Sequence, residues 1–163
     1  QGAQAKKALL TELENSTTVK VAAHRFSLKA LNTKLSANLT NGRLQSAQFV
    51  FDDDLFWGRA PNAKYESEIA RSLAQDGAQI RYLETNSADR LLHHNKFMVF
   101  ESPSSRSAFV GAGNFTESAF TNNWENFYLV RIPEVVSRLS EQFDHMFQTL
   151  GTTEEKLPAS IDR

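Results

Sequence analysis

The chain has 163 residues, 40 % hydrophobic and 23 % charged, with no cysteine. That length supplies one domain with a real core, and the missing cysteine excludes disulfides, thiolate nucleophiles and cysteine zinc sites. Lys plus Arg number 18 against 19 for Asp plus Glu, so contact with a polyanion has to come from a local patch rather than a basic surface.

Residues 3–14, rich in Ala, Leu, Lys and Glu, predict a helix. Residues 17–26 hold Val19, Val21, Ala22 and Ala23 and predict a buried strand. Residues 27–39 set Leu28, Leu31, Leu35 and Leu39 at helical spacing, with Asn41-Gly42 as a left-handed stop. Residues 45–51 predict a second strand running into Asp52-Asp53-Asp54. Residues 61–75 predict a third helix with Pro61 in its first turn and Asp76-Gly77 at its end. Residues 78–83 predict a third strand, and 84–90 a polar loop. Residues 92–100 and 107–111 read as a strand pair joined by Ser102-Pro103-Ser104-Ser105, 114–122 as a turn or short helix, and 124–132 as another strand. Residues 133–150 carry Val136, Leu139, Phe143, Met146, Phe147 and Leu150 on one stripe, stopped by Gly151.

Residues 152–163 read as a loose tail, leaving 1–151 as the domain. Helix and strand alternate before a late cluster of strands. Alternation implies a parallel sheet with right-handed crossovers, and the late strands make it mixed. The expected fold is therefore α/β, a mixed, mostly parallel sheet flanked by helices on both faces. No apolar run approaches the ~20 residues that cross a membrane. The sequence opens on Gln1 without a signal-peptide pattern, which suits a processed, extracytoplasmic form or one domain of a longer protein; the compartment stays open.

The chemistry gathers at His94-Asn95-Lys96. In a strand, residues i and i+2 share a face, so an imidazole and an ammonium would stand side by side about 7 Å apart at the backbone. Both faces are apolar after Lys96, and in open α/β sheets sites form at strand ends. Taken alone, His-x-Lys marks solvated residues where a strand begins more often than a catalyst. Two further groups follow, Gly111-Ala112-Gly113-Asn114 and Asn123-Trp124-Glu125-Asn126.

This series resembles the phospholipase D superfamily, closest to its single-motif endonuclease-like members. The family's signature is His-x-Lys with an acidic residue five positions after the Lys (the HKD motif), then a Gly-Ser-x-Asn turn, then an Asn-x-Glu segment opening a strand. Glu101 stands where the usual Asp does, and Ala112 where the Ser does. The resemblance implies a phospholipase D-like fold and a phosphodiester hydrolase that needs neither metal nor cofactor. It makes His94 the nucleophile, forming a phosphohistidine. Lys96 and Asn114 would bind the non-bridging oxygens, with Gly111 and Gly113 in the substrate pocket. Glu125 would hydrogen-bond the His94 ring, while Glu101 and Asn123 would be structural.

A second, protonated histidine is also implied, from a symmetric homodimer or from pairing with a second HKD-bearing domain. The single motif favours nucleic acid, DNA or RNA, as substrate and partner. Neutral charge and abundant Phe keep a phospholipid open, and Glu101 and Ala112 keep open a non-catalytic phosphate-binding scaffold. Outside the motif, His93 reads as a site-rim or surface residue, His24 as a satisfied structural histidine in preference to one that borders the site, and His145 as solvated. Asp52 to Asp54 read as a capping turn rather than metal ligands. Trp57, Tyr65, Tyr82 and Trp124 read as core rather than as stacking platforms for bases.

Overall fold

Val19, Val21, Ala22 and Ala23 are all fully buried, because the strand that carries them, β1 (Thr18–Ala23), lies at the centre of one sheet covered on both faces. A computed structural model describes residues 2–57, 63–84 and 92–157. Pro61, the loop over 85–90, the end of the tail (158–163) and the Trp57 side chain lie outside the described residues. The remaining strands are β2 (Ser46–Asp52), β3 (Gln79–Leu83), β4 (Lys96–Glu101), β5 (Arg106–Gly111) and β6 (Phe127–Val130). The helices are α1 (Gly2–Glu14), α2 (Lys29–Thr40), α3 (Asp53–Trp57), α4 (Ala63–Gln75), α5 (Glu117–Thr121) and α6 (Pro133–His145).

The strand order is β3-β2-β1-β4-β5-β6. β1–β2 and β2–β3 are parallel, whereas β1–β4, β4–β5 and β5–β6 are antiparallel. The sheet is mixed, as expected, but antiparallel pairings outnumber parallel ones, which corrects "mostly parallel". The connections explain it. α2 and α4 carry the chain over the sheet and return it parallel, while the short Ser102-Pro103-Ser104-Ser105 link permits only a hairpin.

Helices cover both faces. Leu9, Leu13, Leu31, Leu35, Leu73 and Phe120 pack with Val21, Phe49, Phe51, Met98, Phe100 and Phe109 on one side. On the other, Ala22, Val50, Phe97, Val99 and Ala108 meet Val136, Phe143, Met146 and Phe147. Met98 and Phe100 thus face away from Phe97 and Val99, as the two-residue period of a strand requires.

Three local details depart from the sequence pattern. The last helix changes to a π turn over Met146–Leu150, closed by the Gly151 N–H on the Met146 carbonyl at 2.7 Å. Gly151 has φ −75, so it is not a left-handed stop; it is small because a Cβ there would sit 2.8 Å from Arg81 Cβ. Gly42 (φ 77) and Gly77 (φ 107) do end their helices in the left-handed region. Finally, the first residues of the expected tail bind the sheet edge. Thr152 and Tyr82 exchange backbone hydrogen bonds of 2.8 and 2.9 Å, and Leu157 is buried. Among the described residues, no helix is long and apolar enough to cross a membrane.

Candidate active site

The carboxyl ends of β1, β2 and β3 and the start of β4 fall on one edge of the sheet, since Ala23 pairs with Lys96 and Val19 with Phe100. The end of β5 and the start of β6 join them, with Gly111 opposite Phe127. Backbone bonds draw the connecting segments together. The His24 N–H donates to the Asn95 carbonyl at 3.1 Å, the Phe115 N–H to the Arg25 carbonyl at 3.2 Å, and the Ala112 N–H to the Asn126 carbonyl at 3.1 Å. His24, His94, Lys96, Asn114 and Glu125 are thereby brought to one strand-end edge, where open sheets place their sites.

Glycine makes the approach of the β5 turn feasible. A Cβ on Gly111 would lie 2.3 Å from the Asn126 carbonyl oxygen, and one on Gly113 would lie 2.5 Å from the Phe127 ring and 3.1 Å from Glu125 Cγ. Any side chain at either position would push the Asn114 turn away from Glu125.

His94 lies two residues before β4 begins, so it is not a strand neighbour of Lys96 as the i, i+2 pattern predicted. The reason is that His93 and Asn95 are tied to other elements. The His93 N–H donates to Asp52 Oδ2 at 2.7 Å, its Nε2 lies 3.2 Å from the Val50 carbonyl, and the Asn95 amide nitrogen lies 3.2 Å from its Nδ1. This assigns the proton of His93 to Nε2. The Gln142 amide of α6 reaches Asn95 Oδ1 at 3.3 Å. His93 is only 3 % exposed, which corrects the surface reading; the side that faces away from the site faces the protein interior. Burial holds its pKa down at about 4. With both neighbours pinned inward, His94 projects to solvent.

Lys96 is 8 % exposed, and its Nζ donates to the His94 carbonyl at 2.9 Å. Burial lowers its pKa and the Glu125 carboxylate raises it. Burial, then the Lys96 charge, lowers the pKa of His94. His94 is therefore neutral at pH 7, with a lone pair available for attack. The Glu125 carboxylate accepts from the Asn123 amide at 3.2 Å and acts on Lys96 through its charge, in place of the expected bond to the His94 ring. Asn114 Oδ1 is buried without a hydrogen-bond partner among the described residues.

The sequence reading missed two features. His24 is not a satisfied structural histidine. Its ring stands against His94, centroids 4.9 Å apart at 61°, and its buried Nδ1 has no hydrogen-bond partner. Its neighbour Arg25 forms an ion pair with buried Glu66 at 2.6 Å, and Glu66 Oε1 accepts the Phe26 N–H at 3.0 Å.

Glu101 sits at the far end of β4, with Oε1 accepting from Arg106 Nη2 at 2.8 Å. It ties the β4–β5 hairpin and takes no part in the site. Asp52, Asp53 and Asp54 place carboxylate oxygens within 4.8 Å of one another, the one acidic cluster of that kind among the described residues. Asp52 already accepts the Asp54 N–H at 2.9 Å and the His93 N–H, as a capping turn does.

Two aromatics expected in the core are on the surface: Tyr65 is exposed and Trp124 is 96 % exposed. Trp124 borders a cleft of about 840 Å³ beside Glu125 that is not lined by His24, His94, Lys96 or Asn114. His145 is exposed.

The comparisons bear on the fold and the family. The structure is similar to Nuc from Salmonella typhimurium, described as a phospholipase D family member, with TM-score 0.72, 17% identity, and coverage of 90% of this chain and 88% of that one. NucT from Helicobacter pylori gives TM-score 0.68, 15% identity, and coverage of 93% and 92%. TrmBL2, described as an archaeal chromatin protein with a novel mode of DNA binding, gives TM-score 0.58, 14% identity, and coverage of 89% and 48%. A search of curated proteins finds no match. A family model described as "Cardiolipin synthase, PLD-like domain" matches residues 9–147. That span runs from α1 to the π turn and includes His94, Lys96, Asn114 and Glu125, and the chain belongs to the phospholipase D-like domain family.

Proposed function

We propose that this chain is a metal-independent phosphodiesterase that works through a phosphohistidine on His94, and that it cleaves nucleic acid. The observation that carries the reading is the convergence of an outward-facing, neutral His94 with Lys96, Asn114 and Glu125 at one edge of the sheet. A phosphodiester is a poor electrophile because its charge repels nucleophiles. The Lys96 ammonium and the Asn114 amide offset that charge at the non-bridging oxygens. The lone pair of His94 then forms a bond to phosphorus as the ester P–O bond breaks. A second, protonated imidazole gives its proton to the leaving oxygen, then takes one from water, whose oxygen displaces His94 from phosphorus. In a homodimer that imidazole is His94 of a second copy, and the two rings titrate as a coupled pair. Glu125 balances the positive charge that gathers at Lys96 and the imidazoles.

Nucleic acid is favoured by the single motif, by a site open to solvent, and by TrmBL2, which is described as binding DNA. A lipid phosphodiester is the second reading, because the matching family model is described as a cardiolipin synthase. A metal-free screen with EDTA across single-stranded DNA, RNA and phosphatidylglycerol tests both. Cleavage of DNA or RNA is expected, abolished in His94→Ala, with labelled phosphate trapped on His94 of the native protein. Turnover of the lipid alone refutes the nuclease reading. Binding without turnover of any of them leaves a phosphate-binding scaffold.

A further inference from the structure

The proposed mechanism does not use His24, yet His24 makes the most direct ring contact with the nucleophile. The His94 ring has no hydrogen-bond partner among the described residues, because the Glu125 carboxylate is turned to Asn123. Among the described residues, no polar group holds its plane. Its ring contact is the T-shaped one with His24, centroids 4.9 Å apart.

We propose that His24 is a positioning residue whose ring fixes the plane of the His94 nucleophile and keeps water from its inner side. His24 is itself held in place. Its N–H is bound to the Asn95 carbonyl, and the next two residues are anchored by Glu66, through Arg25 and the Phe26 N–H. It is not the second catalytic histidine. The two rings touch, so no phosphorus fits between them, whereas the attacking and leaving groups of an in-line displacement lie on opposite sides of phosphorus.

The titratable and charged groups around His24 are His94 just before β4, Lys96 at its start, Arg25 on its own segment and Asp54 of α3. Burial, His94, Arg25 and Lys96 drive its pKa down to about 4, and Asp54 alone opposes them. His24 is therefore neutral wherever His94 is competent, and it acts as a ring rather than as a charge. Its buried Nδ1 makes no hydrogen bond, so a carbon in that place forfeits nothing.

This inference rests on the phosphodiesterase reading, and the test separates the two. The variants are His24→Ala, His24→Asn and His24→Phe. One measurement is the His94 pKa by NMR; the other is turnover of the chromogenic diester bis(p-nitrophenyl) phosphate across pH. In His24→Ala, water reaches the ring, the His94 pKa rises, and the acid limb of kcat/KM moves to higher pH. kcat falls roughly ten- to a hundredfold while KM changes little, as misorientation of a bound nucleophile requires. His24→Asn behaves like His24→Ala and replaces it if that variant fails to fold. His24→Phe keeps the ring contact and retains kcat within about threefold.

An unchanged His94 pKa and kcat in His24→Ala or His24→Asn overturns the proposal. So does a His24→Phe variant as impaired as His24→Ala, which would mean that the nitrogens matter. A wild-type protein that turns over no phosphodiester refutes the hydrolase reading instead, and the NMR titration still decides whether His24 governs the His94 ring.

Discussion

Replacing Glu66 tests whether the site is held from beneath. Glu66 is 1 % exposed. Its carboxylate meets Arg25 Nη2 at 2.6 Å and accepts the Phe26 N–H at 3.0 Å. Glu66→Ala leaves the Arg25 guanidinium without its counter-charge in a largely buried place, and removing one partner of a buried pair costs about 3–5 kcal/mol. The stranded Phe26 N–H falls within that range rather than adding to it in full. A loss near 4 kcal/mol lowers Tm by about 12 °C in a domain of this size. Glu66→Gln keeps an acceptor for Phe26 and is expected to lose about half as much. The double variant Arg25→Met/Glu66→Leu removes both charges and is expected to recover most of the loss.

Urea unfolding followed by circular dichroism measures all three changes, with kcat as a second readout because His24 rides on the same segment. Burial raises the Glu66 pKa against the opposing effects of Arg25 and the Phe26 N–H. Its contribution to stability is therefore full below the ordinary carboxylate pKa and is lost as pH rises through the raised value. Glu66→Ala lacks that slope. A Glu66→Ala loss below about 1 kcal/mol, or a double variant as unstable as Glu66→Ala, refutes the reasoning.

The pKa of His93 is held at about 4 by burial, so its contribution is full above the unfolded value near 6.5 and is lost as pH falls toward 4. About 2 kcal/mol should go between pH 7 and pH 5. Asp52, pushed up to about 6 by burial, has the opposite sign, so urea midpoints of His93→Gln should fall as pH rises from 4 to 6; midpoints that still rise there contradict the assignment. Gly113→Ala places a methyl 2.5 Å from the Phe127 ring, which stacks on Phe120 at 4.4 Å. Calorimetry should find about 1–3 kcal/mol lost, and kinetics a fall in kcat as Asn114 and Glu125 part. Glu101→Gln breaks a half-exposed pair with Arg106, so it should cost less than about 1 kcal/mol and leave kcat unchanged; a large loss of kcat would return Glu101 to the site.

Each element with a strong apolar pattern was legible in the sequence. Val19, Val21, Ala22 and Ala23, the Leu31–Leu35 spacing and the Val136–Phe143–Met146–Phe147 stripe all fall in the two cores. The motif residues were legible too, and the structure brings His94, Lys96, Asn114 and Glu125 to one edge. What was not legible depends on which strands pair. Nothing local tells β1 that its neighbour is β4, so the antiparallel majority and the contact of His24 with His94 were both invisible. The same gap misplaced His93, since strand alternation says only that it opposes His94. The Asp52 carboxylate and the Val50 carbonyl, both on β2, make that opposite side interior. Trp124 was misjudged on composition, because aromatics are usually core, and this one sits where the chain enters an edge strand.

His93 is fastened to β2, Asn95 to α6, His24 to the Glu66-bound segment, and the Asn114 turn to β6 through two glycines. Each support lies within one chain, so these side chains are organised without a ligand or partner, and the proposed reaction would carry little ordering cost. The supports are also all on one side. The proposed attacking ring faces outward, and the imidazole that touches it among the described residues, His24, lies on the same flank and is held neutral. Protonation of a leaving oxygen has to come from the side opposite the attacking ring, so the proposed chemistry demands a body facing this edge. A second copy of the same edge would satisfy that demand with no new residue, because two outward-facing His94 rings related by a two-fold axis would approach one phosphorus from opposite directions.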